Sequence, residues 1–373
     1  MPPALENLRS GYTTGACAAA ATRGALLALV YQRHFSEAAI RLPQGQLVTF
    51  ALQSCSYSAT QGRSSVIKDA GDDPDVTDKA EICALVEWSS EAGVRFRRGT
   101  GVGLVTKVGL PVPLGEPAIN PAPRSMIREA VQEVLAEAER TGHYIPAQHP
   151  GVMVEISVPN GEELARKTFN PRLGIVGGIS ILGTSGIVVP YSNAAWVASV
   201  TQAIDVAVAQ NCRHLVLTVG GRSERAAQER YQLPEVAFVQ IGPFFGDALR
   251  HCGKVGVVRV SLFAMIGKLA KFAAGNASVH STVSSQDFDV LAQIAMSAGG
   301  DAPLGARIVA ANTAQEVAEI IRALGLHGFF DLLCEKAWHF AQTLCGAQCT
   351  VEIVLAGIQG EILGRFPPRV DCG

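Results

Sequence analysis

Five glycines interrupt a run of isoleucine and valine in Lys167-Thr-Phe-Asn-Pro-Arg-Leu-Gly-Ile-Val-Gly-Gly-Ile-Ser-Ile-Leu-Gly-Thr-Ser-Gly-Ile-Val-Val-Pro190. The branched residues favour extended backbone and make the stretch too rigid for a linker, whereas glycine marks bends and places where another group comes close to the chain. The pattern predicts strand, tight turn and strand. Bare N–H groups at Gly174, Gly177, Gly178, Gly183 and Gly186, next to Thr184 and Ser185, suit an anionic or strongly polar ligand.

At 373 residues, 48% of them apolar, the chain is long enough for two cores. A formal net charge of −2, with 17% charged residues and no block of like charges, gives no field that would attract nucleic acid. Small-molecule partners are expected. Met-Pro-Pro-Ala-Leu-Glu-Asn-Leu-Arg-Ser at the start lacks the basic and apolar regions of a signal peptide, and no later stretch reads as a membrane span, so a cytoplasmic protein without a membrane partner is expected. Nine cysteines, spread out and without a Cys-x-x-Cys pair, read as reduced and mostly buried thiols; Cys345 and Cys349, four apart, are the one candidate pair. Oligomeric state is left open.

Near the start, Ser10-Gly-Tyr-Thr-Thr-Gly leads into an alanine-rich stretch predicted to be helical over 15–31, with Thr13 and Thr14 at the N-cap. Free N–H groups at such a helix start could hold a carboxylate or phosphate. Residues 39–53 predict a hairpin, and 81–88 with 93–98 a further strand pair. Between them lies Lys68-Asp-Ala-Gly-Asp-Asp-Pro-Asp75, whose spacing departs from a calcium loop, so no protein-bound metal is expected. Gly99-Thr-Gly-Val-Gly-Leu-Val-Thr-Lys107 fits neither the Walker A spacing nor Gly-x-Gly-x-x-Gly. A proline-punctuated loop carrying Glu116, Asn120 and Arg124 toward one cleft opens a helix over 125–141, and the polar stretch 141–151 reads as a boundary.

Beyond the glycine block, predicted helices and strands alternate: helix 196–210, strand 214–219, helix 223–232, strand 236–241, helix 245–252 and strand 255–262. A hairpin over 351–364 follows further helices. Such alternation implies parallel strands, with ligands beyond their carboxyl ends. The turns Val219-Gly-Gly-Arg-Ser-Glu224 and Gly242-Pro-Phe-Phe-Gly246 fall at those ends. The fold class expected is an α+β first domain (1–150) and an α/β, Rossmann-like second domain (151–373) with a mostly parallel sheet.

In order along the chain, Gly11-Tyr-Thr-Thr-Gly, Lys68-Asp-Ala-Gly-Asp-Asp-Pro-Asp-Val-Thr, Gly101-Val-Gly-Leu-Val-Thr-Lys, Gly115-Glu-Pro-Ala-Ile-Asn-Pro-Ala-Pro-Arg, the 167–190 block and Ile266-Gly-Lys-Leu-Ala-Lys271 resemble the CbiD family. That is the cobalt-precorrin-5B C1-methyltransferase family of corrin-ring biosynthesis. The resemblance implies methyl transfer from S-adenosylmethionine to C1 of a cobalt-bearing tetrapyrrole, with cobalt carried by the substrate. It also implies transient contact with other enzymes of the route.

Chemistry then nominates residues. Methyl transfer from a sulfonium needs in-line approach and exclusion of water more than a strong acid or base, but a carboxylate could assist, and Asp69, Asp72 and Asp73 are the catalytic candidates. A substrate rich in acetates and propionates calls for basic groups and N–H donors: Thr13, Thr14, Lys107, Arg124, Lys167 and Arg172. Gly183, Thr184, Gly220 and Gly221 are the candidates for the methyl donor.

The resemblance also leads one to expect histidine where Asp78 and Met265 stand, and Thr-His-Ser where the chain reads Val279-His-Ser. An Asp and an Arg expected after that motif are missing from Val283-Ser-Ser-Gln-Asp-Phe-Asp289. Two rival functions are a phosphotransferase built on the 99–107 loop and the helix start at Thr14, and a non-enzymic carrier of tetrapyrrole intermediates.

Overall fold

The structure, a computed structural model, describes residues 8–280 and 283–367. Residues 1–7, Ser281 of the Val279-His-Ser motif and Cys372 lie outside this range. The protein is mixed α/β with several sheets, and it divides into two compact units, Met1–Ser192 and Asn193–Gly373.

The first unit is built around the helix Thr14–Tyr31. Seven of its alanines, from Ala16 to Ala28, are fully buried, so the helix is sequestered on all sides rather than on one stripe. Alanine also lets neighbours come close: a Cβ on Gly62 of the adjacent strand would run into the carbonyl of Ala25. This helix is the one described element long and apolar enough to cross a membrane, and it is spent on the core. It packs against a second helix, Pro121–Arg140, and against a five-stranded sheet.

That sheet runs in the order Ser54–Tyr57, Gln61–Ile67, Glu81–Ser89, Gly151–Ser157, Gly93–Arg98. The predicted pairing of 81–88 with 93–98 is therefore corrected. Gly151–Ser157 lies between them, antiparallel to the first and parallel to the second. Val152, Val154 and Ile156 are fully buried, each stabilising by about 1.5–3 kcal/mol, which places this strand inside the sheet. Gly93–Arg98 carries three arginines and takes the edge, where charge is cheap; Arg97 reaches Glu87 at 2.8 Å and Glu155 at 2.6 Å.

Consequently the stretch 141–151, read from the sequence as a boundary, lies inside one compact unit, and the division falls after Ser192 instead. Within that connection Tyr144 donates to the carbonyl of His149 at 2.6 Å, and His149 stacks on Trp88. The helix predicted from 125 starts at Pro121, because proline at the first positions suits the missing N–H. The hairpin of Glu37–Arg41 with Leu47–Ala51 forms as predicted.

In the second unit a five-stranded sheet runs Phe238–Gln240, His214–Thr218, Arg259–Met265, Thr350–Ala356, Ile362–Phe366. The first four are mutually parallel and the last is antiparallel. Arg259–Met265 is central and its interior residues are buried on both faces, as its unbroken apolar run requires. It starts four residues later than predicted. Val255-Gly-Val forms the turn that closes helix Phe245–Lys254, with Gly256 at φ +75° and Val257 N–H donating to Cys252 at 3.0 Å. The eight described cysteines are free, and Cys17, Cys252, Cys334, Cys345 and Cys349 are buried.

Candidate active site

The glycine block does not pair with itself. Instead, Ile175–Val176 pairs with Leu104–Val105, Gly178–Ile179 with Gly101–Val102, Ile181 bridges Ile119, and Ile187–Val188 pairs with Gly11–Tyr12. The close approach that glycine signals in the sequence comes from the protein's own backbone: a Cβ at Gly178 would collide with the carbonyl of Gly101. Four sequence motifs, as far apart as Gly11 and Val188, are thereby drawn into one seam of very short ladders. The 99–107 loop is spent in this seam, and the next helix begins only at Pro121, so it does not form a phosphate loop at a helix start.

Thr13 and Thr14 fasten the core helix to the seam. Thr13 Oγ1 accepts from Ala16 N–H at 3.2 Å as the N-cap, while its own N–H donates to the carbonyl of Gly186 at 3.0 Å. Thr14 Oγ1 accepts from Leu182 N–H at 2.9 Å, and Gly15 N–H donates to the carbonyl of Leu182 at 3.0 Å. Gly183, at φ +121°, lies directly against Thr13. Thr184 is exposed beside it.

The acidic loop closes over the strand that precedes this helix. Asp69 accepts a two-pronged contact from Arg9, at 2.6 and 2.8 Å, and a further bond from Gly71 N–H at 3.0 Å. These partners hold its carboxyl well below the usual carboxylate range, Arg9 first, so Asp69 is a weak base. Asp72 accepts from Arg9 N–H at 2.6 Å and is exposed; half-buried Asp73 accepts from Tyr191 N–H at 2.8 Å. The loop itself is clamped by Lys68, 1% exposed, whose Nζ donates to Asp75 at 2.8 Å. Asp75 Oδ1 accepts from the N–H and hydroxyl of Thr77.

The four basic candidates do not form one cluster. Half-buried Lys107 lays its stem along Gly174 and donates to the carbonyl of Arg172 at 3.2 Å. Arg124 donates to the carbonyls of Ile119 and Pro117 and to Glu116 at 3.2 Å, and covers Phe96 at 5.0 Å. Glu116 and Arg124 are thus brought together as the sequence suggests, with Asn120 as N-cap of Pro121–Arg140. Arg172 is half-buried and Lys167 exposed.

In the second unit Gly220 and Gly221 follow strand His214–Thr218 and open helix Gly221–Gln228. A Cβ at either glycine would meet nothing within 4 Å. The chain moves outward from His214–Thr218 to Phe238–Gln240, then returns to Arg259–Met265 on the other side, so the order reverses between the two inner strands. In open α/β sheets, ligands sit at that reversal, outside the carboxyl ends. Gly220, Gly221 and the Met265–Ile266 junction border it. Buried Glu224, which accepts from Gln240 at 2.6 Å, lies in the first turn of the helix there.

Comparison with known proteins adds sequence relatives to this geometry. The CbiD family profile matches residues 2–190, and that of the CbiD C-terminal domain matches residues 278–367. A protein of Geobacillus kaustophilus (strain HTA426) named cobalt-precorrin-5B C(1)-methyltransferase is 50% identical, over 96% of this chain and 95% of its own. Its namesake in Priestia megaterium is 48% identical over 98% of each. The chain belongs to the CbiD family. A solved structure of a cobalamin biosynthesis protein (cbiD) from Archaeoglobus fulgidus is 28% identical, covering 72% of this chain and 80% of that one, with a TM-score of 0.38.

Within this CbiD chain, the positions where histidine was expected have structural surroundings of their own. Asp78 accepts from Ala70 N–H at 2.9 Å, and Met265 ends the central strand next to the order reversal. Residues missed from sequence include Asn170, which donates to the carbonyl of Gly178 and accepts from Ser180, and the Lys68–Asp75 clamp. A lysine set in an apolar-flanked strand end, seven residues from a carboxylate, was the available signal for the clamp.

Proposed function

We propose that the protein transfers the methyl group of S-adenosylmethionine to C1 of cobalt-precorrin-5B, giving cobalt-precorrin-6A on the anaerobic route to cobalamin. Identity of about half the residues over nearly the full length to proteins named for that reaction carries this reading. The C1–CH3 bond forms as the S–CH3 bond breaks, and the electron pair stays on sulfur in S-adenosylhomocysteine. In-line positioning and exclusion of water supply most of the rate.

The second unit is read as a Rossmann-like domain that holds the donor at the strand-order reversal, against Gly220 and Gly221. Its open backbone there supports the assignment, whereas Gly183 is packed on Thr13. For the tetrapyrrole carboxylates, Lys167, Arg172 and Lys107 remain the proposed partners; the Thr13 and Thr14 hydroxyls are engaged in holding the helix start. Among the carboxylates, Asp72 and Asp73 keep more freedom to assist than Asp69, which is spent on Arg9.

Incubation with methyl-labelled donor and cobalt-precorrin-5B tests the proposal. Label at C1 is the expected outcome. Substrate binding without transfer would leave a carrier instead.

A further inference from the structure

At the opposite edge of the second unit's sheet, near the amino ends of the parallel strands, lies a cavity of about 730 Å³ lined by His214, Arg230, Tyr231, Arg259 and Glu352, among others. The central strand Arg259–Met265 spans seven residues, so this cavity is about 20 Å from the carboxyl-end reversal. Nothing in the proposed methyl transfer uses it.

Its floor is a polar network set into a sheet face that is otherwise apolar. Ser261 and Glu352 stand in register on neighbouring strands, with Val216 opposite Ser261. Glu352, 6% exposed, accepts from Ser261 at 2.6 Å, Tyr231 at 3.0 Å and Arg259 at 3.1 Å, with Arg365 Nε 3.3 Å from its other oxygen. Ser261 gives its one proton to this carboxylate. The contact of 2.8 Å between His214 Nε2 and Ser261 Oγ is therefore donated by the imidazole, which leaves Nδ1 carrying a lone pair.

Among the described residues that line the cavity or its floor, guanidiniums outnumber carboxylates. Two guanidiniums, Arg259 and Arg365, already meet the single carboxylate, and Arg230, held by the carbonyl of Gly360 at 3.0 Å, adds a third positive charge at the rim. Arg365 Nε is buried and meets Glu352 as an ion pair without a well-aligned hydrogen bond. For stability alone, an apolar cluster would serve a sheet face as well as a buried ionic one. A cavity of this size, with surplus guanidinium forks above a fixed network, matches the requirements of a small-molecule anion site.

We propose that this cavity binds a small anionic metabolite through a phosphate or carboxylate group held by Arg230 and Arg259, at a site separate from that of the methyl donor.

The full-length protein, titrated calorimetrically at fixed ionic strength and pH 7.5 with pyrophosphate and separately with citrate, tests this. The expected result is one saturable site for at least one probe, weakened about tenfold or more by Arg230→Gln and by Arg259→Gln. Stronger binding of pyrophosphate assigns a phosphate ligand, and of citrate a carboxylate. Arg230 is exposed, so its variant tests the site even if Arg259→Gln fails to fold. No saturable binding of either anion, equal binding by Arg230→Gln, or displacement by S-adenosylhomocysteine overturns the proposal.

Discussion

Lys68 Nζ lies 2.8 Å from Asp75 Oδ2, with the lysine side chain 1% exposed and the aspartate 26%. A buried ammonium with a single charged partner among the described residues makes the acidic loop dependent on that partner. Burial alone would raise the carboxyl of Asp75, but Lys68 and Thr77 outweigh it and hold the carboxyl low. The stabilisation is present above the unfolded carboxyl value near 4 and is lost as pH falls through the lower folded value. Asp75→Asn should cost about 2–4 kcal/mol in urea melts, since it leaves Lys68 buried without its counter-charge. Lys68→Met, which removes the charge that needs a partner, should cost less.

Gly220→Ala and Gly221→Ala separate donor binding from folding. Gly220 has extended backbone at φ 179°, and neither added methyl meets a neighbour, so the melting temperature should stay within about 2 °C of the parent. Affinity for S-adenosylhomocysteine should fall at least about tenfold if the donor lies against these glycines. Unchanged affinity in both variants would place the donor elsewhere.

Gly178→Ala should behave in the opposite way. Its Cβ would strike the carbonyl of Gly101, and a backbone obstacle has no rotamer by which to yield. A loss of about 3 kcal/mol or more, or failure to fold, is expected from thermal melts. A stable variant would show that the seam tolerates separation.

The carboxylates can be ranked by asparagine substitution. Asp73→Asn keeps an oxygen to accept from Tyr191 N–H and removes the charge, so a fall in kcat with little change in melting temperature would mark an electrostatic role. Asp69→Asn breaks the two-pronged pairing with Arg9 and should lower stability at least as much as turnover.

His214 gives a pH signature. Burial, followed by nearby Arg259, pushes its imidazole down to about 4. Between that value and about 6.5 the unfolded chain binds the extra proton, so this contribution is complete above pH 6.5 and is lost as pH falls toward 4. The slope attributable to this group is at most about 1.4 kcal/mol per pH unit, less because the ring is partly exposed. His214→Asn should flatten the stability profile in that window, as measured by urea melts at successive pH values.

Much of this architecture was legible locally. Alanine content marked the helix Thr14–Tyr31, and apolar alternation between short turns marked the parallel strands of the second unit. Non-local pairing was not legible: nothing within 81–98 tells that Gly151–Ser157 will enter between its two strands. In the glycine block the residue type was informative but its partner was not. A bare backbone signals close approach equally whether the visitor is a ligand or the carbonyl of Gly101. Likewise, Arg124 and Lys107 have the chemistry of carboxylate binders, but only the folded loops show how many of their donors are already engaged by carbonyls.

The seam of two-residue ladders also bears on synthesis of the protein. Gly101, Ile119 and Gly11 find their partners only after the chain has reached Gly178, Ile181 and Val188 in turn. The amino-terminal end of the core helix, made among the first residues, must therefore wait on the ribosome for the seam that fastens it while the rest of its unit is translated. At about 5–20 residues per second that interval is on the order of ten seconds or more. A nascent chain stalled before the glycine block should accordingly be held by chaperones, and one stalled well beyond it should resist protease.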